Sequence, residues 1–522
     1  MQSATLFSRS SSPFYATPLG VWLIVAGWGL AHVLLRSLMS PVLGTDDMFE
    51  NILVQELHAG YMLRQPPLYE WLLWSVQQVT GPVIWSFLLL KYGLISLSAL
   101  FLFLIARRAI DDQRLAALCV FSYSLFYQFG WNLHEGVTHT VVLVTACSAS
   151  AWTFLRALET RRLTFYVAFG IAAGAGLLAK HSYPLFVLAL ILAASSDREW
   201  RARIRPAGLL VAGLAAALVY SPYLHWIFSE GLGLMGEVAN TMGVKDESFH
   251  LGRAATGLGK LGFGLIGFSV PLLPVVALLF WQRYAGGMKP REASVNGTAR
   301  LCGRAVLFMI VLTAVLISVT GATYVKERHM HPLLLLLPIW MFADLARFEA
   351  GKRWRWLSLI VVAFAVVAFG ARVPGLIAPD KMMCGGKCRH MKPYTGIKAD
   401  LSAMGAERAT LVVADEYTGG NLRVLFPEAR IVSRGRVSPE GTRDVCLYVW
   451  EAGERNPARS ATDDFVARTG AANTIGEPGR YVSAAWPHLW KAAGWRTTFW
   501  GVQPLPRGHV LCDQDPAIEG AR

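Results

Sequence analysis

"GVWLIVAGWGLAHVLLRSLM", residues 20–39, carries a single charge, Arg36. As a helix rising about 1.5 Å per residue it covers roughly the 30 Å of bilayer hydrocarbon. Similar runs recur through the first three quarters of the 522-residue chain. They predict further spans at Val83–Ala106, Leu115–Phe129, Val137–Leu158, Leu163–Ala179, Tyr183–Ala194, Ala207–Phe228, Leu261–Trp281, Ala305–Thr320, Pro332–Leu345 and Leu357–Val373. Composition agrees: 54% of residues are hydrophobic and 16% charged, where a soluble protein holds about a quarter charged. The expected fold class is an α-helical polytopic membrane protein with about 11 transmembrane helices. The Ser-rich start, Met1–Thr17, has one Arg and no convincing cleavage site follows the apolar run, so the first span is expected to be retained.

The formal net charge is +14, from 49 Lys and Arg against 35 Asp and Glu. Its distribution argues against a nucleic-acid partner. The basic residues of the apolar part fall on alternate loops, among them Arg107 and Arg108, Arg161 and Arg162, Arg198 to Arg205, Lys289 to Arg304, and Lys352 to Arg355. The positive-inside rule places these loops in the cytoplasm. The loop after the first span, every loop of its parity and the tail then face outward. Residues 1–373 are expected to form the transmembrane domain and 374–522 a small outer domain.

That outer domain holds four cysteines, Cys384, Cys388, Cys446 and Cys512, and an oxidising compartment permits three pairings, of which Cys384–Cys388 is the simplest. Its pattern reads as a strand at 409–415, a helical stretch at 419–425, strands at 429–434 and 445–450, and a helix from Thr462, an alternation that suggests a small α/β domain.

The chemistry concentrates on the outward loops. The first, "GTDDMFENILVQELHAGYMLRQPPLYEW" at 44–71, holds Asp46, Asp47, Glu50, Arg64, Gln65 and Tyr69. The second holds His134 and Glu135, the third Lys180, His181 and Tyr183, and the fourth Lys326, Arg328 and His331. Each has a bland reading. Asp46 is a candidate N-cap, His134–Glu135 a polar helix start, Lys180 a snorkelling side chain, and Arg328 a partner for Glu327. Adjacent carboxylates repel, however, so one of the pair is drawn toward the pKa of a general base. Met48–Ala59 reads as a helix lying along the interface, and Pro66–Pro67 forces an extended corner after it. Carboxylates, Lys and Arg on one membrane face suit a reaction that deprotonates a hydroxyl and expels a phosphate.

The acidic pair after the first span, "QPPLY" at 65–69, "HEGVTHT" at 134–140, "GLLAKHSYPLF" at 176–186 and "KERHMHPLLLLLPIW" at 326–340 carry a resemblance. The chain resembles the GT-C glycosyltransferases of the protein mannosyltransferase and aminoarabinose transferase type. Within that group the nearest resemblance is to bacterial galacturonosyltransferases that modify lipid A and lipopolysaccharide core. It implies an enzyme of the bacterial inner membrane with its active site and α/β domain on the periplasmic face. It also implies a polyprenyl-phosphate sugar as donor, a glycolipid as acceptor and displacement with inversion. Asp46 matches the first acidic position of the family's pair and is the implied base. Asp47 stands where the family has Glu, which leaves open which carboxylate takes the proton. Where the aminoarabinose enzymes have a phosphate-binding Lys before the prolines, this chain has Gln65. Phosphate binding is then expected of Arg328 and Lys180, with Arg64 and Lys326 behind them. Glu50, Gln65, Tyr69, His134, Glu135, His181, Tyr183 and His331 are expected around the substrates. No cofactor is certain, and a divalent cation held by His134, Glu135 and the aspartates stays open. The chain is expected to act as a monomer among membrane lipids. The alternative is a lipid or glycolipid flippase, whose polar cavity also needs charges but should come with related halves.

Overall fold

The computed structural model describes residues 13–44, 46–244, 249–290, 294–384, 388–433, 441, 443–453, 480–509 and 511–512. The first span is α1, Pro18–Met39, started by the Thr17 hydroxyl, which accepts Gly20 N–H at 3.0 Å, and by Pro18 in the first turn. The outer loop that follows folds into α2, Asp47–Leu53, and α3, Leu68–Thr80. Then come α4, Ile84–Ala109; α5, Gln113–Phe121; α6, Tyr127–Gly130; α7, His139–Thr160; α8, Leu163–Leu177; and α9, Tyr183–Ser196. Among the described residues six helices are long and apolar enough to cross a membrane, namely α1, α4, α7, Pro206–Ser229, Gly297–Thr320 and Arg353–Ile377. The apolar helices α8, α9 and His331–Ala346 are shorter. The helix Pro206–Ser229 lies close along α8 because small residues face each other: a Cβ on Gly170 would come within 2.3 Å of Ala212 O.

Two expected spans are broken. Leu115–Phe129 is divided into α5, a 3-10 turn at Ser122–Leu125 and α6. The Ser122 and Ser124 hydroxyls donate to Cys119 O and Phe121 O, at 2.7 and 2.9 Å, tightening the chain where the α-helix would have continued. Leu261–Trp281 instead starts at His250 and stops at Ser269, where Pro271 forces Val270 into an extended conformation before Leu272–Leu279 resumes. The interfacial helix expected over Met48–Ala59 is also shorter: α2 ends at Leu53, and Gln55 leaves it to bond the tail.

The tail carries a five-stranded sheet in the order β2-β1-β3-β5-β4, made of β1 Thr410–Val413, β2 Arg430–Ser433, β3 Cys446–Gly453, β4 Arg480–Ala485 and β5 Thr497–Leu505. β2, β1 and β3 are parallel, with the helix Glu416–Leu425 connecting β1 to β2, while β5 and β4 add antiparallel. The last two strands had no counterpart in the sequence reading. The helix expected from Thr462 lies outside the described residues. Disulfides join Cys384 to Cys388 and Cys446 to Cys512.

The tail helix grips α2. Asn51 Nδ2 donates to Gly420 O at 2.8 Å, Asn421 Oδ1 accepts Leu43 N–H at 2.8 Å, and Arg423 donates to Asn51 O and Val54 O. Gln55 bonds both backbone groups of Ile431, extending the edge of β2. Gly420 has no room for a side chain, since a Cβ there would meet Met48 O at 2.0 Å.

Candidate active site

Asp46 sits at the first turn of α2, yet its side chain makes no capping hydrogen bond. The carboxylate is thereby left for other work. Burial first, then the neighbouring Asp47 and Glu50 carboxylates, push its pKa up to about 6, against the pull of Lys91 and Arg328. Asp47 is buried, and its Oδ1 has no hydrogen-bond partner.

Two cations from other loops close on this point. Lys180, in the turn between α8 and α9, donates to Thr140 Oγ1 at 2.8 Å. Burial and the nearby Arg328 bring its pKa down to about 8, with Asp46 acting in the opposite direction and Arg64 adding to Arg328. It does not snorkel. Arg328, in the turn Glu327–His329, is exposed and donates to Tyr324 Oη at 3.2 Å. Among the described residues it has no ion pair, and Glu327 is engaged instead by Gln128 at 3.3 Å. Lys326 lies over the Tyr324 ring at 4.5 Å, so Tyr324 gathers both cations. His329 beside them is held down to about pKa 4 by burial, Lys180 and Arg328, and is neutral at pH 7. Arg64 is exposed at the Pro-Pro corner, which Leu68 N–H ties to Leu178 O at 3.0 Å, next to the Lys180 turn. Gln65 Oε1 at the same corner is buried without a hydrogen-bond partner.

Other expected residues serve the frame. His181 Nε2 meets Leu63 O at 2.7 Å and braces the same corner. His331 Nδ1 bonds Arg328 O at 2.8 Å while its ring packs between Phe129 and Phe268, so it shapes the turn that carries Arg328. Tyr183 does not reach the outer face: its hydroxyl bonds Ser150 between α9 and α7, and its ring fills the space left by Gly176.

His134 and Glu135 are likewise drawn away. His134 stacks on His32 at 3.9 Å and bonds Tyr92 Oη at 3.0 Å. Glu135 pairs with Arg372 at 3.6 Å and His390 at 3.3 Å. Burial would raise its pKa, but the His390 hydrogen bond and the Arg372 charge bring it down to about 2. Among the described residues, His134 and Glu135 are thus engaged by other partners and are not grouped with the aspartates as metal ligands. Among the described residues one group is arranged to hold a metal, Glu50, Glu70 and His139. Burial and Glu50 hold the Glu70 carboxyl well above the usual carboxylate range. Tyr69, between Glu70 and the acid pair, is fully buried with an unpaired hydroxyl.

The sequence reading passed over Glu70, His139 and Lys91. Lys91 lies within the apolar run of α4, buried, and donates to Glu135 O. A charge inside a span is itself a functional signal. Arg372 and His390 had no local signal, because their partners lie hundreds of residues away.

The arrangement gathers a carboxyl with a pKa of about 6 and the cations Lys180 and Arg328, electrostatics that suit proton removal coupled to departure of an anion. Known proteins resemble this chain in sequence and in fold. The sequence profile of the dolichyl-phosphate-mannose-protein mannosyltransferase family matches residues 64–226, which include the Pro-Pro corner and Lys180 and begin beyond the acid pair. The lipopolysaccharide core galacturonosyltransferase RgtA of Rhizobium johnstonii is 28% identical over 418 residues, 78% of this chain and 81% of that protein. RgtB of the same organism is 28% identical over 435 residues, 82% of this chain and 86% of the relative. The crystal structure of ArnT from Cupriavidus metallidurans bound to undecaprenyl phosphate superposes with a TM-score of 0.53 at 15% identity, covering 93% of this chain and 97% of that one. Its apo state gives 0.54. The fold is thus of the GT-C type.

Proposed function

We propose that this chain, a membrane glycosyltransferase fed by a lipid-phosphate-linked sugar, moves galacturonic acid from a polyprenyl-phosphate donor to a periplasmic-face glycolipid such as lipid A or lipopolysaccharide core. The observation that carries the reading is Asp46, uncapped and with its pKa near 6, facing Lys180 and Arg328. Asp46 removes the proton from the acceptor hydroxyl as that oxygen attacks the anomeric carbon. The bond to the donor phosphate breaks on the opposite side, so configuration inverts. Lys180 and Arg328 neutralise the departing phosphate, whose charge grows as the bond breaks, and a guanidinium offers it two parallel donors. Arg64 and Lys326 flank the path at the exposed rim. Asp47, buried behind, holds the negative field that keeps Asp46 basic.

The galacturonic acid donor and the core acceptor are suggested by the two Rhizobium relatives, which are lipopolysaccharide core galacturonosyltransferases, and the polyprenyl phosphate by the ligand of the ArnT structure. The alternation of basic loops supports a site on the periplasmic face of the inner membrane. Purified protein incubated with polyprenyl-phosphate galacturonate and a core glycolipid tests the reaction, with the product read by mass spectrometry. A mass gain of one uronic acid supports it. Translocation of the donor across proteoliposomes without any transfer would establish the flippase instead.

A further inference from the structure

A second group of ionisable side chains lies behind the acid pair, and the transfer chemistry makes no use of it. Glu50 stands one turn beyond Asp46 on α2, Glu70 in the first turn of α3, and His139 at the first residue of α7. His139 Nε2 is 3.2 Å from Glu50 Oε1 and 3.5 Å from Glu70 Oε1. One donor atom from each residue lies within 4.8 Å of the other two. Glu70 is 0% exposed, and Glu50 and His139 are each 2% exposed.

Hydrogen bonding does not account for this group. Neither oxygen of Glu70, nor Glu50 Oε2, nor His139 Nδ1 has a hydrogen-bond partner. The other contact of Glu50 is Thr138 Oγ1 at 3.3 Å. Two carboxylates out of water need more than one positive charge, because an unpaired buried ion is strongly disfavoured. With both carboxyls ionised, a single imidazolium leaves the group negative, next to the acid pair of Asp46 and Asp47. A divalent ion with two carboxylates and a neutral imidazole is electrically balanced. One nitrogen and two carboxylate donors suit zinc or manganese better than calcium, which takes six to eight oxygens.

We propose that Glu50, Glu70 and His139 form a site for a divalent cation, Zn²⁺ or Mn²⁺, which joins α2, α3 and α7 and sets the position of Asp46. The three are positioning residues: they act on the base through α2 and do not touch the substrate. Polar links between these segments besides the group itself include Thr138 Oγ1 to Glu50 at 3.3 Å and Gln77, whose side chain donates to Asn51 at 2.9 Å.

The test uses the full chain in detergent, stripped with a chelator and titrated with Mn²⁺ followed by electron paramagnetic resonance, and with Zn²⁺ in competition with a chromophoric chelator. One equivalent of either ion bound by the wild type is expected. Glu70→Gln and His139→Gln should each weaken binding by at least about 100-fold, the upper end of what changes outside the ligand shell cost. Gel filtration of the variants checks that they remain folded. The proposal is overturned if the wild type binds neither ion stoichiometrically, or if folded variants bind as tightly as wild type. Sugar transfer is measured separately. A metal-free wild type at full activity refutes the cation site alone, and a metal-loaded protein that transfers no sugar refutes the proposed reaction alone.

Discussion

Replacing Asp46 by Asn keeps size and polarity but removes the lone pair that accepts the proton. A well-placed general base contributes about 10²–10⁴-fold, so turnover should fall by at least about 100-fold while donor binding changes little. The pH dependence gives a sharper test. With the Asp46 pKa near 6, about 90% is ionised at pH 7 and about 9% at pH 5, so kcat/KM should drop about tenfold over those two units. On the alkaline side Lys180, at about 8, is about 90% charged at pH 7 and about 10% at pH 9. Phosphate neutralisation should fade accordingly, and the profile should be a bell centred near pH 7. An ordinary aspartate would instead place the acid limb near pH 4. The assay is transfer from a defined polyprenyl-phosphate sugar in detergent, with initial rates at subsaturating donor from pH 4.5 to 9.5. Full turnover in Asp46→Asn, or an acid limb near 6 that survives in it, would refute the assignment. Loss only in Asp47→Asn would move the base by one residue.

Arg328→Ala should weaken donor binding and also slow the chemical step, and Arg328→Lys should restore only part of each, because a point charge lacks the two-pronged geometry; steady-state kinetics with donor titration would show it. Gly420→Ala forces a Cβ toward Met48 O. It should lower stability by about 1–3 kcal/mol and cut turnover while leaving the acid and base unchanged, as followed by thermal unfolding and transfer assays. Alkylation of denatured, unreduced protein followed by mass mapping should label Cys119, Cys147 and Cys302 only; labelling of Cys446 or Cys512 would contradict the disulfide pairing.

The helical spans were legible because runs of about 20 apolar residues have few other uses. Their interruptions were not, since Ser122 and Ser124 look like harmless polar residues until their hydroxyls are seen taking helix carbonyls. The acid pair, Lys180 and Arg328 stood out as charges at loop positions, and the structure brings them together. Tyr183 shared a motif with Lys180 but turns inward, because the next helix begins at that residue. His134 and Glu135 were expected around the substrates, although Arg372 at the end of the last span and His390 of the tail engage them. Such pairings join residues 238 and 255 positions apart, and no local periodicity encodes them. Glu70 and His139 were hidden because each looks ordinary alone, one following a proline corner and the other opening a span.

The grip of the tail helix on α2 also orders events in time. Asn51 and its partner Gly420 are separated by 369 positions. At a synthesis rate of roughly 5–20 residues per second, about 20–70 s pass between the emergence of one and the other. Through that interval α2 is already inserted beside the membrane without the contacts that fix its axis. The acid pair therefore takes its final place only once the tail helix has docked on α2. A ribosome that stalls before residue 420 leaves in the membrane a nearly complete set of spans with no working centre. Competence is conferred at the end of synthesis, as a proofreading step on the whole chain.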